Sequence, residues 1–368
     1  MADKERILKT FKELISINSP SLSERKVADY IKAALAPLGF EISEDDTGAK
    51  IGGSAGNVTA FLKGTADAHP IFFGSHMDTV EPTEGINVII DGDIIKTDGT
   101  TILGADDKAG ITEILEGMRM LVESGKPHGD IKLVFDVSEE TGLFGVRHYD
   151  TSGLKGYFGF IMDSEIPAGA FTMNAPSDVT INVEIFGKAA HAGMCPEKGV
   201  SALVAASRAI AKMKLGRLDE ETTANVGTIS GGKARNIVPD YVTMRAEARS
   251  RNEAKLEAQL DHMKTLFRDE AAAMGAEAKI ELISDYKTFA FAEDAEIVKF
   301  AAAALAKIGK EPVLQNGGGG SDANIFNEKG VPALLIAAGY NNAHTPEEYV
   351  SISGMCDCAD FVAALAEA

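Results

Sequence analysis

A histidine and an aspartate, His76 and Asp78, follow an apolar run at 71–73. Side chains at positions i and i+2 of an extended chain lie on the same side of it. That spacing suits a histidine that binds a metal ion and a carboxylate that supports the histidine. Taken alone, the pair is better explained by an ordinary polar turn, so the metal hypothesis depends on the rest of the sequence.

Aspartates stand at two further places where elements are predicted to begin or end. Asp106 and Asp107 lie at the start of a stretch with helical spacing, and aspartate in that position usually serves only as a helix cap. Asp163 follows the apolar run 160–162. In open α/β sheets, functional sites form where the chain leaves the sheet, so both positions can present carboxylates to a ligand.

Two adjacent glutamates, Glu139 and Glu140, follow a predicted buried strand at 131–137. Neighbouring side chains diverge on extended backbone, so one glutamate can reach a metal ion while the other faces a substrate cavity. A carboxylate near a metal-coordinated water can act as general base, because the metal lowers the pKa of that water. The simpler alternative is a solvated glutamate pair in a loop.

His344 follows the apolar run 331–338 and completes a set of five clusters at strand ends. The set offers imidazole nitrogens and carboxylate oxygens, which suit zinc or manganese. The set contains more ligands than one tetrahedral ion binds. A shared carboxylate would let two ions lie roughly 3.5–4 Å apart. The set therefore favours a two-metal hydrolase.

The elements that must position these residues alternate between strands and helices. Amphipathic helices are predicted at about 4–17 and 23–36, a strand near 57–63, and a helix at 108–122 before the strand at 131–137. Alternation of this kind favours an α/β sheet with helices on both faces.

The pattern changes near residue 177. There the apolar residues alternate with period two, and the order of predicted elements becomes βαββαβ, typical of a small α+β domain with one open sheet face. After residue 286 the buried pattern resumes. We therefore expect a discontinuous catalytic domain at 1–176 and 287–368, with an α+β domain inserted at 177–286.

Composition excludes several classes of protein. With 55 acidic and 36 basic side chains the net charge is −19, which argues against a nucleic-acid partner. No apolar run is long enough to span a membrane, and the start lacks the apolar segment of a signal peptide, so a cytoplasmic protein is expected. Three cysteines cannot build a disulfide framework. Cys356 and Cys358 could bind a metal but are better explained as core residues.

Several motifs together resemble those of the co-catalytic zinc peptidase superfamily, which contains aminopeptidases, carboxypeptidases and amidohydrolases. The segments that carry this resemblance are 75–80 (Ser-His-Met-Asp-Thr-Val), 97–110 (Thr-Asp-Gly-Thr-Thr-Ile-Leu-Gly-Ala-Asp-Asp-Lys-Ala-Gly), 138–142 (Ser-Glu-Glu-Thr-Gly) and 344–347 (His-Thr-Pro-Glu). Two further segments are similar to the peptidase T (tripeptide aminopeptidase) branch: 187–193 (Gly-Lys-Ala-Ala-His-Ala-Gly) and 231–240 (Gly-Gly-Lys-Ala-Arg-Asn-Ile-Val-Pro-Asp). The resemblance covers nearly the whole chain and implies an α/β catalytic domain with a mixed sheet.

The resemblance implies a ligand set for two divalent ions, zinc in the first place and cobalt or manganese as alternatives. It places His76 and Asp163 on one ion, Glu140 and His344 on the other, and Asp106 as the bridge between them.

The resemblance also implies roles for residues around the ions. Glu139 would be the general base, and Asp78 would orient the histidine at position 76. His191 would stabilise the oxyanion from the inserted lid or dimerisation domain, either in its own subunit or in the neighbouring subunit of a homodimer. Arg235 and Asn236 would contact a short peptide substrate.

Three functions compete at this point. The first is a metallopeptidase, expected to be an aminopeptidase that acts on short peptides. The second is a carboxypeptidase or an N-acyl amino acid deacylase that uses the same two-metal site. The third is a non-catalytic protein that binds a metal or a peptide, but such a protein has no need of Glu139, so the sequence favours an enzyme.

Overall fold

The computed structural model describes residues 1–165 and 167–367. Within that part of the chain, every helix falls short of the length or the apolarity that a bilayer-spanning segment requires. The α-helices are α1 (Lys4–Ile15), α2 (Arg25–Leu35), α3 (Thr47–Ile51), α4 (Ala105–Ser124), α5 (Phe144–His148), α6 (Ala202–Lys212), α7 (Glu253–Ala273), α8 (Glu296–Lys307), α9 (Asp322–Glu328) and α10 (Ile352–Ala366).

The β-strands differ widely in length, from two residues to ten. They are β1 (Glu41–Glu44), β2 (Val58–Leu62), β3 (Ile71–His76), β4 (Ile89–Asp91), β5 (Ile94–Lys96), β6 (Ile131–Asp136), β7 (Phe158–Met162), β8 (Ala170–Ala175), β9 (Ser177–Phe186), β10 (Gly216–Arg217), β11 (Thr222–Gly231), β12 (Tyr241–Ser250), β13 (Glu277–Tyr286), β14 (Phe289–Ala290), β15 (Val313–Asn316), β16 (Ala333–Ile336), β17 (Tyr340–Asn341) and β18 (Tyr349–Ser351).

The largest sheet is mixed and has the order β1–β2–β6–β3–β7–β16–β8–β14, with β15 paired to β8. Strands β6, β3, β7 and β16 form a parallel core, whereas β2 and β8 run antiparallel to their neighbours in that core. Every residue of β3 is buried, as expected for a strand covered on both faces. Because parallel strands end at one edge of a sheet, the segments that leave these four strands start from the same edge.

The chain forms two compact units. Unit 1 comprises Met1–Met173, Ala290–Gly317 and Ser321–Ala368, and unit 2 comprises Asn174–Phe289 and Gly318–Gly320. In unit 1, helices α1, α4 and α10 pack against one another, and their apolar faces join the core of the mixed sheet. A small sheet of order β17–β18–β5–β4 also belongs to unit 1.

Unit 2 is an antiparallel sheet of order β10–β11–β12–β9–β13, with α6 and α7 packed against it. Its separate core contains buried residues of β9, β12 and both helices. The predicted insert of 177–286 lies within this unit. The two-residue strand β10 is an addition to the predicted βαββαβ order.

The fold class is confirmed: an α/β mixed-sheet domain accompanied by an α+β unit. Helix α4 begins three residues before its predicted start at 108, and strand β6 begins at the predicted residue 131. Strand β8 and helix α10 were not predicted. Most residues of α10 are buried, so its sequence lacks the contrast between polar and apolar faces that marks a surface helix.

Candidate metal centre

The candidate site lies at the carboxyl edge of the parallel core in unit 1. His76 is the last residue of β3, Asp163 follows β7 directly, and the glutamate pair follows β6 after two intervening residues. Asp106 lies in the first turn of α4, where its backbone angles are not helical. Gly110 lets α4 approach β7 closely, because a Cβ at Gly110 would lie 2.5 Å from the carbonyl oxygen of Met162.

Asp106 stands between two histidines. Its Oδ1 lies 2.9 Å from Nε2 of His76, and its Oδ2 lies 3.2 Å from Nε2 of His344. Oδ1 of Asp163 is 3.8 Å from the same nitrogen of His76, and Oε2 of Glu140 is 3.0 Å from that of His344. Ligand atoms on one tetrahedral zinc ion are about 3.3 Å apart, given metal–ligand bonds of about 2.0–2.1 Å. These distances therefore suit two ions that share the Asp106 carboxylate.

The hydrogen bonds of His76 leave one ring nitrogen for a cation. Its Nδ1 lies 3.0 Å from the backbone carbonyl oxygen of Asp78 and donates to it, so the neutral ring presents the lone pair of Nε2 to the carboxylate of Asp106. Without a cation between them, that contact requires a second ring proton. Burial alone would lower the pKa of His76, but hydrogen bonds with Asp106 and Asp78 outweigh burial and hold the pKa well above its ordinary value.

The carboxylates of the site repel one another. Burial and the charge of Asp106 raise the pKa of Asp163 well above its ordinary value. Burial and the charge of Asp163 do the same for Glu139. Burial also raises the pKa of Glu140, although a hydrogen bond with His344 opposes this effect. Positive charge would relieve the repulsion, so the donor set fits divalent cations.

Two groups of ligand atoms lie close enough together to share an ion. Those of His76, Asp106 and Glu140 all lie within 4.8 Å of one another, as do those of His76, Asp107 and Asp163. Oε1 of Glu140 is buried without a hydrogen-bond partner among the described residues, as expected of a ligand atom whose partner is an ion. Asp107 was not predicted as a ligand, and its carboxylate already accepts hydrogen bonds from Ser75 Oγ and Gly110 N.

The carboxylate of Asp78 makes contacts beyond its predicted one with His76. Its Oδ1 accepts a hydrogen bond from the backbone N–H of Glu139 at 3.0 Å, and its Oδ2 accepts one from that of Glu140 at 3.2 Å. Ser21 Oγ donates to Oδ2 at 2.6 Å. Asp78 thus fixes the backbone of both glutamates, and its carbonyl oxygen is the nearer partner of the histidine ring.

Sequence reasoning missed three residues that hold the site. Tyr340, which is buried, donates from its hydroxyl to Oδ1 of Asp163 at 2.9 Å. Glu24 accepts hydrogen bonds from both N and Oγ of Ser138, whose φ of 55° is left-handed. Glu348 contacts the backbone at the start of α4. Tyr340 and Glu348 flank His344 in sequence. That proximity to a predicted ligand was the one sequence feature that could have indicated their roles.

The remaining predicted site residues belong to unit 2, where two of them are neighbours. Ala192 N donates to the carbonyl oxygen of Asn236 at 2.9 Å, and His191 pairs with Ile237 in an isolated bridge. His191 and Arg235 are both exposed. Nδ1 of His191 accepts hydrogen bonds from two backbone N–H groups, so Nε2 carries the proton of the neutral ring.

The cysteine pair does not form part of a metal cluster among the described residues. Both cysteines lie in α10, where Cys358 is buried and Cys356 is partly exposed. The prediction that they serve as core residues agrees with this placement. All three cysteines of the chain are free.

The family model described as Peptidase family M20/M25/M40 matches residues 72–368. The chain belongs to this family. It is therefore a peptidase. The chain is similar to Uncharacterized protein YqjE of Bacillus subtilis (strain 168). The two are 42% identical over 367 residues, which is 100% of this chain and 99% of that protein. Peptidase T of Escherichia fergusonii is 28% identical over 287 residues, 74% of this chain and 67% of that protein.

Two solved structures match nearly the whole peptidase chain. The aminopeptidase PepT from Bacillus cereus ATCC 10987 is 42% identical with a TM-score of 0.91, covering 99% of this chain and 98% of that one. A tripeptidase from Staphylococcus aureus Mu50 is 35% identical with a TM-score of 0.95, covering 100% of this chain and 98% of that one. The predicted peptidase T-like resemblance is confirmed by these matches.

Proposed function

We propose that this peptidase removes the N-terminal residue from short peptides with the help of two divalent ions. The observation that carries the proposal is the position of Asp106, which offers one oxygen toward each of two histidine–carboxylate pairs. The solved relatives named aminopeptidase and tripeptidase support the type of substrate. Zinc is the proposed metal because imidazole nitrogen and carboxylate oxygen ligands suit it, with cobalt or manganese as alternatives.

The proposed ligands are His76 and Asp163 for one ion, Glu140 and His344 for the other, and Asp106 for both. Ions bound there would supply the positive charge that acidifies a coordinated water and polarises the carbonyl group of the scissile bond.

Glu139 is the proposed general base. The backbone N–H of Glu139 donates to Asp78, and this contact fixes the glutamate loop. The Glu139 carboxylate feels the charges of Asp163 and Glu140 but belongs to neither group of ligand atoms. It can take a proton from the attacking water and deliver the same proton to the leaving amine. Burial raises the pKa of Glu139, which strengthens it as a proton acceptor.

The charge of the site favours a substrate with a free amine. Acidic side chains crowd the cluster (Asp106, Asp107, Glu139, Glu140 and Asp163), and the charge of Asp322 also acts on Glu139. Negative charge that the ions leave uncompensated would attract a protonated α-amine. Arg235 is proposed to hold the substrate's carboxylate, for which a guanidinium is suited, and Asn236 to contact its backbone.

Blocking the amine of a tripeptide is expected to lower kcat/KM by at least about 10-fold, the effect of losing one hydrogen bond to a charged group. Amidating the carboxylate of the tripeptide should lower kcat/KM by a smaller factor. The measurement compares the free tripeptide with its N-acetylated and C-amidated forms. If acetylation has no effect while amidation abolishes cleavage, the site is that of a carboxypeptidase or a deacylase.

His191 is proposed to donate from Nε2 to the oxyanion that forms during attack. We expect His191→Ala to reduce kcat by about 10²–10³-fold, the effect of losing one oxyanion donor, with unchanged metal content. His262→Ala, in helix α7 of the same unit, is the matched control and should retain full activity. A normal kcat in the His191→Ala variant would show that His191 does not stabilise the oxyanion.

A homodimer through unit 2 is also proposed. This unit exposes several large apolar side chains, among them Val204, Ile229 and Ile283 at 43–46% exposure. If His191 serves the neighbouring subunit, mixing His191→Ala and Glu139→Gln subunits restores activity in the mixed dimer. Verified mixed dimers without activity would show that each chain supplies its own histidine.

A further inference from the structure

Glu348 is a buried residue outside the proposed ligand set. Its Oε1 accepts a hydrogen bond from the backbone N–H of Asp106 at 2.9 Å, and its Oε2 accepts one from that of Gly104 at 2.7 Å. Its side chain is 0% exposed. Glu348 therefore holds the peptide group of the proposed bridging aspartate from a position four residues after His344.

The loop that carries His344 needs such an anchor. It connects β17 to β18, and both Asn342 and His344 have left-handed backbone conformations, with φ of 56° and 63°. Residues other than glycine adopt this conformation at an energetic cost, so the surrounding structure must hold it. Within the loop, Thr345 Oγ1 donates to the carbonyl oxygen of Asn342, and Glu348 N donates to that of Thr345.

The two histidines are held by different means. His76 ends a fully buried strand and donates to the carbonyl oxygen of Asp78, so its position does not depend on Glu348. The proposed partner of His76, Asp163, is held by the hydroxyl of Tyr340. His344 stands in a partly exposed loop whose base is joined to α4 through Glu348.

We propose that Glu348 is a positioning residue that sets the relative placement of the Asp106 carboxylate and the His344 ring. This rests on the proposed two-metal function. A carboxylate that accepts two backbone hydrogen bonds is a strong anchor, because each bond is charge-assisted. Because Asp106 is a proposed ligand of both ions, loss of Glu348 should weaken the binding of both. The ion held by Glu140 and His344 should be affected more, since the loop of His344 also loses its anchor. Removing a residue that orients metal ligands typically lowers metal affinity about 10–100-fold.

The test is a titration of the metal-free full chain with zinc, in which the two dissociation constants are measured by calorimetry. Glu348→Ala is expected to bind one ion about 10–100-fold more weakly than the wild type does, and the other ion with a smaller loss of affinity. Glu347→Ala, at the adjacent exposed position, should keep both affinities. Glu348→Gln retains one acceptor oxygen and should lose less affinity than the alanine variant. If the alanine variant fails to fold, the glutamine variant still provides the measurement.

Activity at increasing zinc gives a second readout. A positioning role predicts that high zinc restores kcat in Glu348→Ala, because the weakened ion is then bound again. If both ions bind more weakly by the same factor, or if the folded variants keep both affinities, Glu348 does not have the proposed role. A wild-type chain that binds fewer than two ions would instead overturn the proposed function itself.

Discussion

Replacing Glu139 by glutamine is expected to lower kcat by about 10²–10⁴-fold or more, the contribution of a positioned general base. Glutamine has the same shape but cannot take a proton from the attacking water. The backbone N–H of residue 139 still donates to Asp78 in this variant, so the loop should keep its conformation. The metal content should therefore remain close to that of the wild type.

Glu140→Gln is the matched control for that experiment. Oε2 of Glu140 lies 3.0 Å from Nε2 of His344, and this is where the second ion is proposed to bind. Glutamine at position 140 should therefore reduce metal occupancy, and activity should recover at high metal concentration. If metal content falls in Glu139→Gln and not in Glu140→Gln, the two glutamates have the opposite roles.

Removing the metal ions with a chelator is expected to abolish hydrolysis completely. The ions are proposed to acidify the attacking water, and without them that water keeps its ordinary high pKa. The repulsion among the buried carboxylates, Asp163 and Glu139 among them, is then also unrelieved. The metal-free chain should also melt at a lower temperature, since a ligand at about 1,000 times its Kd adds about 4 kcal/mol of stability. Thermal unfolding with and without zinc measures this effect. An unchanged melting temperature would argue against ions in this cluster.

The placement of the site could be predicted because it depends on strand ends. His76 and Asp163 follow continuous apolar runs, and such runs identify strands buried on both faces. Once the strands are parallel, their ends must meet at one edge of the sheet. The two adjacent glutamates could also be given separate roles, because side chains of neighbouring residues diverge.

Two residues that hold the site, Glu348 and Glu24, could not be predicted in the same way. Glu348 and Glu24 act on backbone N–H groups that are remote in sequence: 244 positions separate Glu348 from Gly104, and 114 separate Glu24 from Ser138. Every residue except proline has a backbone N–H group, so no side-chain pattern marks the partners. The start of α4 was predicted three residues too late because Asp106 and Asp107, which lie inside the helix, have non-helical backbone angles.

Stepwise addition of zinc to the metal-free enzyme, with bound metal and tripeptide cleavage measured in the same samples, tests the two-metal claim most directly. Because Asp106 offers one oxygen to each histidine, full activity is expected only when two ions are bound per chain. Full activity in the metal-free protein, or no further gain after the first ion, would contradict the claim.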